Sequence, residues 1–185
     1  MIIERIERLL RARFEYPKEY SKNHIILASF PKSGNTWLRF VSSNIIAQQN
    51  VNVNVNVNFD TIGRLAPSIR GNRNLKGIIS SNDYPNFLKT HFYFVNGFKQ
   101  YPALVLYRNP VRTFQSFFNY MKIEQKKDYK DFEKFITSPR VGINAWNYFY
   151  STWLSHKHSV FISYDELIKN QFDGINKIYK TFGYD

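Results

Sequence analysis

Apolar residues along this chain concentrate in four short runs, each followed by a longer segment with mixed polarity. The runs occupy residues 25–28, 86–91, 103–107 and 160–164. They are short and rich in β-branched or aromatic residues, which is typical of buried strands. Because the segments between them have helical periodicity, the pattern predicts an α/β fold with a parallel β-sheet flanked by helices.

Helices are predicted between and after these strands. Asn109 followed by Pro110 is a typical helix start, with a capping residue before proline at the first helical position. Residues 60–82 are rich in Gly, Asn, Arg and Ser and predict a loop with at most one short helix. The predicted helices span residues 35 to about 49, 111 to about 123, a charged stretch from 124 to about 138, 142–153, 165–168 and about 172–182.

Two segments stand apart from this alternation. Residues 1–15 predict an amphipathic helix with an apolar stripe and a charged face, and its interspersed glutamates favour docking on the domain over lying on a membrane. Residues 51–59 form a Val/Asn repeat whose strict alternation is typical of a strand. Because identical repeats specify register poorly, this segment is interpreted as a variable or edge insertion without chemistry.

The composition indicates a single globular domain over residues 1–185, with 43% hydrophobic residues. The chain has no cysteine, which excludes disulfides, thiolate metal sites and cysteine nucleophiles. A formal net charge of +12 favours an anionic partner: a nucleic acid, a membrane surface or a polyanionic small molecule. No apolar run approaches the length of a membrane span and no signal-peptide core is visible, so a cytoplasmic location is expected.

The turn after the first strand carries the features of an anion site. Residues 31–34 read Pro-Lys-Ser-Gly and connect the strand at 25–28 to the start of the next helix. Such a turn gathers backbone N–H groups and the positive end of a helix dipole around one point, which suits phosphate or sulfate. The pattern is not a Walker A sequence, because the lysine precedes the only glycine.

Polar residues also follow the other predicted strands, at the ends where α/β sheets bind ligands. Lys89 and His91 end the second strand, Arg108 follows the third and Tyr164 ends the fourth. No aspartate is suitably placed at a strand end for magnesium, which disfavours an ordinary kinase or NTPase. The sequence therefore predicts one crevice lined by residues from four strand ends.

Four segments resemble the family of sulfotransferases that use 3′-phosphoadenosine 5′-phosphosulfate (PAPS). FPKSGNTW resembles the family's loop for the 5′-phosphosulfate, and YRNPVRTFQSF its 3′-phosphate motif. FLKTH resembles the strand with the catalytic histidine, and VFISYDEL the late strand and its Tyr-Glu-Asp-Leu-like turn, with the acidic pair reversed. The resemblance implies a P-loop-nucleotide-hydrolase-like sulfotransferase fold, with PAPS as co-substrate and PAP as product.

The resemblance assigns the nucleotide to two groups of residues. Lys32 would neutralise the departing phosphate, and Arg108 with Ser116 would hold the 3′-phosphate. Trp37 would stack on adenine and Tyr164 would contact the adenine edge, although both aromatics fit equally well as core residues. The donors to the 5′-phosphate would be Ser33, Gly34, Asn35 and Thr36.

The same resemblance makes His91 the general base that takes a proton from the attacking hydroxyl or amine. An imidazole with an ordinary pKa of about 6.5 suits this task near neutral pH. Lys89 would stabilise charge on the transferring group, so cations replace a metal ion and no metal is expected. His24, His156 and His158 are interpreted as structural or surface residues.

Three questions stay open at the level of sequence. The chain lacks the family's late glycine-rich basic segment, so either a short active branch or a truncated protein is expected. The alternatives are a nucleotide- or nucleic-acid-binding module without transfer activity, and a metal-independent phosphoryl-handling enzyme. A nucleic acid partner is disfavoured because the basic residues are dispersed. The acceptor, a small molecule or a glycan or lipid, and the oligomeric state are not readable.

Overall fold

The computed structural model describes residues 24–49, 55–69, 78–127 and 129–184. The amphipathic helix predicted for residues 1–15 lies outside these residues, as does the first part of the Val/Asn repeat. Within the described chain, no helix is both long enough and apolar enough to cross a membrane.

Four parallel strands form the central sheet: β1 (His24–Ser29), β2 (Asn86–Thr90), β3 (Ala103–Tyr107) and β4 (Ser159–Ser163). Their order across the sheet is β2-β1-β3-β4, and Leu27 pairs with Lys89 on one side and Leu104 on the other. The chain therefore leaves β1 toward β2 and later returns to β3 on the opposite side. Such a switch point opens a crevice at the carboxyl ends of the strands.

Helices follow the strands and cover both faces of the sheet. Alternate residues of β1 belong to separate cores, which accounts for its continuous burial: Ile25 and Leu27 pack on one face, Ile26 and Ala28 on the other.

The helices are α1 (Asn35–Gln49), α2 (Ile62–Leu65), α3 (Pro110–Ile123), α4 (Phe132–Ile136), α5 (Ile143–Leu154), α6 (Tyr164–Leu167) and α7 (Gln171–Thr181), with a 3-10 turn at Asn96–Phe98.

The two cores differ in composition. The face covered by α1 and α7 is mainly aliphatic, with Leu38 and Ile178 packed against the strands. The face covered by α3, α4 and α5 is aromatic and centres on Trp153, which is fully buried and donates a hydrogen bond from Nε1 to the Phe92 carbonyl at 3.0 Å. This aromatic core holds α3 and α5 beside the crevice, where both contribute side chains.

The α/β class, the parallel sheet and its four strands are as predicted, and α1 spans the predicted residues. The Asn109 cap is also confirmed, because its side chain accepts from the N–H groups of Val111 and Arg112 at 3.0 and 3.3 Å.

Two local predictions are wrong. The charged stretch does not start a helix at residue 124: Lys126 adopts a φ of +49°, and α4 begins only after Asp131, whose carboxylate caps the Lys134 N–H at 2.7 Å. Residues 55–59 of the Val/Asn repeat form no strand. They end in a turn in which Asn58 Oδ1 accepts from the backbone N–H groups of residues 60 and 61, so local hydrogen bonds replace a strand pairing.

Candidate anion site and transfer centre

The turn between β1 and α1 has the backbone geometry of an anion site. Lys32 and Gly34 adopt left-handed conformations with φ of +67° and +96°. The Ser33 N–H donates to the Phe30 carbonyl at 3.3 Å, and the first helical bond runs from Leu38 N–H to the Gly34 carbonyl. The N–H groups of the first helical turn thus have no helical partner and point out of the N-terminus of α1. This arrangement binds phosphate or sulfate groups.

Two polar side chains of this turn face inward. The Asn35 amide nitrogen donates to Ser29 Oγ at 3.1 Å, and the buried Ser33 hydroxyl lies 3.4 Å from the Tyr150 hydroxyl. Tyr150 in turn donates to the Leu106 carbonyl at 3.0 Å, and its burial raises its pKa to about 12. Tyr150 was not predicted from the sequence, since it lies far along the chain in α5. These contacts fix the shape of the turn. Because both side chains are engaged, an anion would receive hydrogen bonds mainly from the backbone N–H groups of the turn.

Tyr164 packs directly under the turn. A Cβ atom added to Gly34 would lie 2.1 Å from Cδ2 of the Tyr164 ring, which is far inside contact distance. The Trp37 ring meets the same tyrosine edge-on, with centroids 6.1 Å apart. The side chain predicted to touch adenine is therefore also a support of the anion turn.

Arg108 joins the end of β3 to this turn. Its Nη1 donates to the Lys32 carbonyl at 3.2 Å, and its guanidinium carbon lies 5.3 Å from the centre of the Tyr164 ring. Its Nε lies 3.9 Å from Asp165 Oδ1, too far for a hydrogen bond. Among the described residues, this buried Nε has no hydrogen-bond partner, although it forms an ion pair with Asp165.

Asp165 organises the arginine side of the crevice. Its carboxylate accepts from the Asn109 N–H at 2.8 Å and from Arg112 Nη1 at 3.5 Å. The sequence signal for this residue was its place after Tyr164 in a reversed acidic pair, but its partners lie more than fifty residues away in the chain. Sequence alone therefore did not assign it a role.

Helix α3 presents Ser116 and Tyr120 one turn apart, on the same side of the helix. The Lys32 ammonium lies 4.6 Å from the centre of the Tyr120 ring, in a cation–π contact. Ser116 is half-buried beside this contact. The structure thus brings the lysine of the turn to the helix that carries the predicted 3′-phosphate serine.

His91 follows β2 and contacts the end of β1. Its Nδ1 lies 2.7 Å from the Ser29 carbonyl, and because a carbonyl only accepts, Nδ1 carries a proton. Desolvation, followed by the charge of Lys89 and then that of Arg39, lowers the pKa of His91 well below its ordinary value, against the opposing effect of the Ser29 hydrogen bond. By its solvent-accessible surface His91 is an exposed residue, which weakens the effect of desolvation on its pKa and leaves the direction of the shift unchanged. In the neutral ring, Nε2 therefore holds the lone pair of a base.

Lys89 lies two residues earlier on β2 and is half-buried. Burial, followed by the charge of Arg39, lowers the pKa of Lys89 to about 8, and burial lowers that of Arg39 to about 10. Arg39 lies one turn into α1 and was not singled out from the sequence. Within the described part of the chain, no group of three or more His, Asp or Glu side chains is placed to hold a metal ion.

Residues 22–185 match the family model described as the sulfotransferase domain, and the chain belongs to the sulfotransferase family. It is 27% identical to sulfotransferase 6B1 of Pan troglodytes and 26% identical to that of Gorilla gorilla gorilla, each over 90% of this chain. The alignment covers 57% of each relative, so the chain spans little more than half their length.

Solved structures agree on the fold. Mouse sulfotransferase SULT7A1, complexed with PAP, superimposes with a TM-score of 0.63 at 21% identity over 90% of this chain and 60% of that one. Retinol dehydratase, in complex with androsterone and the inactive cofactor PAP, gives a TM-score of 0.64 at 14% identity over 96% and 64% of the two chains.

Replacing Gly34 by alanine tests the support under the anion turn. We expect Gly34→Ala to destabilise the protein and weaken anion binding, because the new methyl group meets the Tyr164 ring. Gly183→Ala is a matched control, since Gly183 also has a positive φ (+81°) but its Cβ would meet nothing within 4 Å. The control should show only the backbone cost, about 1–2 kcal/mol. Equal losses in denaturant unfolding would contradict the packing argument.

The protonation of His91 is measurable by NMR titration of its ring. We expect a midpoint well below 6.5, because desolvation and the neighbouring cations disfavour the imidazolium. Lys89→Gln should raise the midpoint, and Arg39→Gln should raise it less. With the folded pKa below the unfolded value, the His91 contribution to stability is present above about pH 6.5 and lost as the pH falls. A midpoint at or above 6.5 would contradict the prediction that the surroundings of His91 lower its pKa.

Proposed function

We propose that this protein transfers the sulfuryl group of PAPS to a hydroxyl or amine acceptor by in-line displacement, with His91 as general base. The observation that carries the proposal is the arrangement around the β1–α1 turn. Arg108 contacts the turn from the β3 side, and His91 contacts the end of β1 from the β2 side. An anion site thus lies between a cation suited to a second phosphate and a base suited to an acceptor.

The described residues fit a nucleotide with two separated phosphates. The N-terminus of α1 offers backbone donors to the 5′-phosphate, and the partly exposed guanidinium of Arg108 offers charged donors to the 3′-phosphate. Ser116 lies on the α3 face that reaches Lys32 through Tyr120. PAP in the related crystal structures supports the same ligand here. In this proposal Trp37 and Tyr164 both flank the adenine, and both also support the turn.

When bound, PAPS supplies an activated sulfuryl group whose bond to the 5′-phosphate breaks as the acceptor attacks. The Nε2 lone pair of His91 takes the acceptor proton, and Nδ1–H keeps the ring oriented through the Ser29 carbonyl. Lys89 offsets negative charge on the transferring group, and Lys32 offsets the charge that develops on the phosphate. Positioning and fixed charge contribute most of the acceleration in this type of chemistry.

The acceptor is proposed to be a small molecule with a reactive hydroxyl. A related structure was solved with androsterone and another with retinol, and both ligands are alcohols with large apolar bodies. Residues 92–95 follow His91 and pack partly buried on the aromatic core, where they suit an apolar acceptor body. Glycan or lipid acceptors remain compatible with the same lining.

Calorimetry with PAP and AMP tests the nucleotide site. Arg108→Gln should weaken PAP binding roughly 10- to 100-fold, the usual effect of losing a charge-assisted hydrogen bond. AMP lacks the 3′-phosphate, so its affinity should fall by a clearly smaller factor than that of PAP, the remaining loss reflecting the contact of Arg108 with the Lys32 carbonyl. Lys122→Gln removes the same charge from an exposed position of α3 and should leave both affinities unchanged. Equal losses for the two nucleotides, or preference for ATP with magnesium or single-stranded oligonucleotide, would overturn the proposal.

Transfer from labelled PAPS to an acceptor that the wild type uses tests the base. His91→Ala should retain PAP affinity and lose transfer by about 10²- to 10⁴-fold, the range for general-base catalysis. His158→Ala, an exposed histidine, is the control and should keep wild-type turnover. A near-normal rate in His91→Ala would show that another group accepts the proton.

A further inference from the structure

Arg39 lies next to the transfer centre, but the proposed reaction assigns it no task. Its Nε donates to the Ala66 carbonyl at 2.8 Å. Among the described residues, the two terminal nitrogens of its guanidinium form no hydrogen bond. The side chain is half-buried, so its charge is partly removed from water.

The segment 66–69 ties Arg39 to Lys89. The Lys89 N–H donates to the Pro67 carbonyl at 2.8 Å, and the Ile69 N–H donates to the Lys89 carbonyl at 3.0 Å. Ser68 forms an isolated parallel bridge with Lys89. Since Arg39 holds the carbonyl just before Pro67, both cations border the same short segment on the outer side of β2.

These cations lack a counter-charge within the described chain. Neither Arg39 nor Lys89 forms an ion pair with a described carboxylate, whereas Arg108 and Arg112 share Asp165. The charge of Arg39 contributes to the lowered pKa of Lys89, after burial, so the two groups repel each other. Desolvated like charges are costly unless an anion joins them.

The order of groups along the carboxyl ends of the strands indicates whether Arg39 and Lys89 lie on the nucleotide side or on the acceptor side. Arg108 follows β3, the anion turn follows β1, and Lys89 with His91 ends β2, the edge strand. On the proposed function, the nucleotide runs from β3 to β1 and the acceptor approaches from the β2 side. Arg39 borders the segment beyond β2, on the acceptor side.

We propose that Arg39 binds an oxyanion carried by the acceptor, close to the hydroxyl that His91 deprotonates and beside Lys89, which serves the transferring group. The preferred acceptors would then bear a carboxylate, sulfate or phosphate group. This inference rests on the proposed function and narrows its substrate class. A guanidinium fork binds such groups through two parallel hydrogen bonds, with a fixed orientation that a lone ammonium lacks.

The test uses PAP-saturated protein and matched phenols, with calorimetry as the readout. 4-Hydroxybenzoate should bind at least about tenfold more tightly than its neutral analogue 4-hydroxybenzamide, as charge-assisted hydrogen bonds allow. 4-Hydroxybenzenesulfonate distinguishes a tetrahedral from a planar oxyanion, and preference for either anion over the amide supports the subsite. Equal binding of all three, or binding of none, overturns it.

Variants connect the preference to Arg39. Arg39→Gln keeps an amide donor for the Ala66 carbonyl but removes the charge, and it should reduce the anion preference below about twofold. Arg39→Lys should retain part of the preference, and Lys122→Gln should retain all of it. Persistence of the full preference in Arg39→Gln refutes the assignment. Absence of PAP binding to the wild type would instead refute the proposed function.

Discussion

The packing of Tyr164 beneath Gly34 is the contact on which the rest of the site depends. The turn after β1 needs left-handed backbone geometry at Lys32 and at Gly34, and at a non-glycine residue such as Lys32 this conformation persists only where the surroundings enforce it. Tyr164 enforces one from below, and Arg108 holds the Lys32 carbonyl from the side. The N-terminus of α1 is thereby aimed at one point in the crevice.

Several side chains that the sequence motif predicts as hydrogen-bond donors to the anion instead support the turn in this structure. Asn35 and Ser33 turn inward to Ser29 and Tyr150, and Tyr164 lies under the turn. A site built in this way offers an anion mainly backbone N–H groups, which cannot rotate away. Preorganised donors of this kind are worth more in catalysis than mobile ones, since they need no rearrangement as charge develops.

The sequence predicted the fold well because the signals were local. Short β-branched runs, the Asn109–Pro110 cap and the turn at 31–34 each act over a few residues, and the sheet and α1 follow from them. The charged stretch after residue 124 misled, because helix-forming composition was overridden by the positive φ of Lys126 and the cap at Asp131. Local composition does not register such a break.

For the site, sequence indicated which strand ends converge but not which distant side chains complete them. Tyr150, Asp165 and Arg39 complete the site from α5, α6 and α1, and of the three only Asp165 has a local sequence signal, the reversed acidic pair after Tyr164. Their roles become visible only from tertiary packing and from the ion pairs that the folded chain forms or does not form.

Ser29 carries two of these constraints at once. Its hydroxyl accepts the amide of Asn35 from the start of α1, while its carbonyl accepts Nδ1–H of His91. The turn proposed to receive the anion and the ring proposed to receive the proton are thus anchored to the same residue. On the proposed function, a tightening of the turn around the donor would act through Ser29 on the orientation of the base, which would link occupancy by the donor to readiness toward the acceptor.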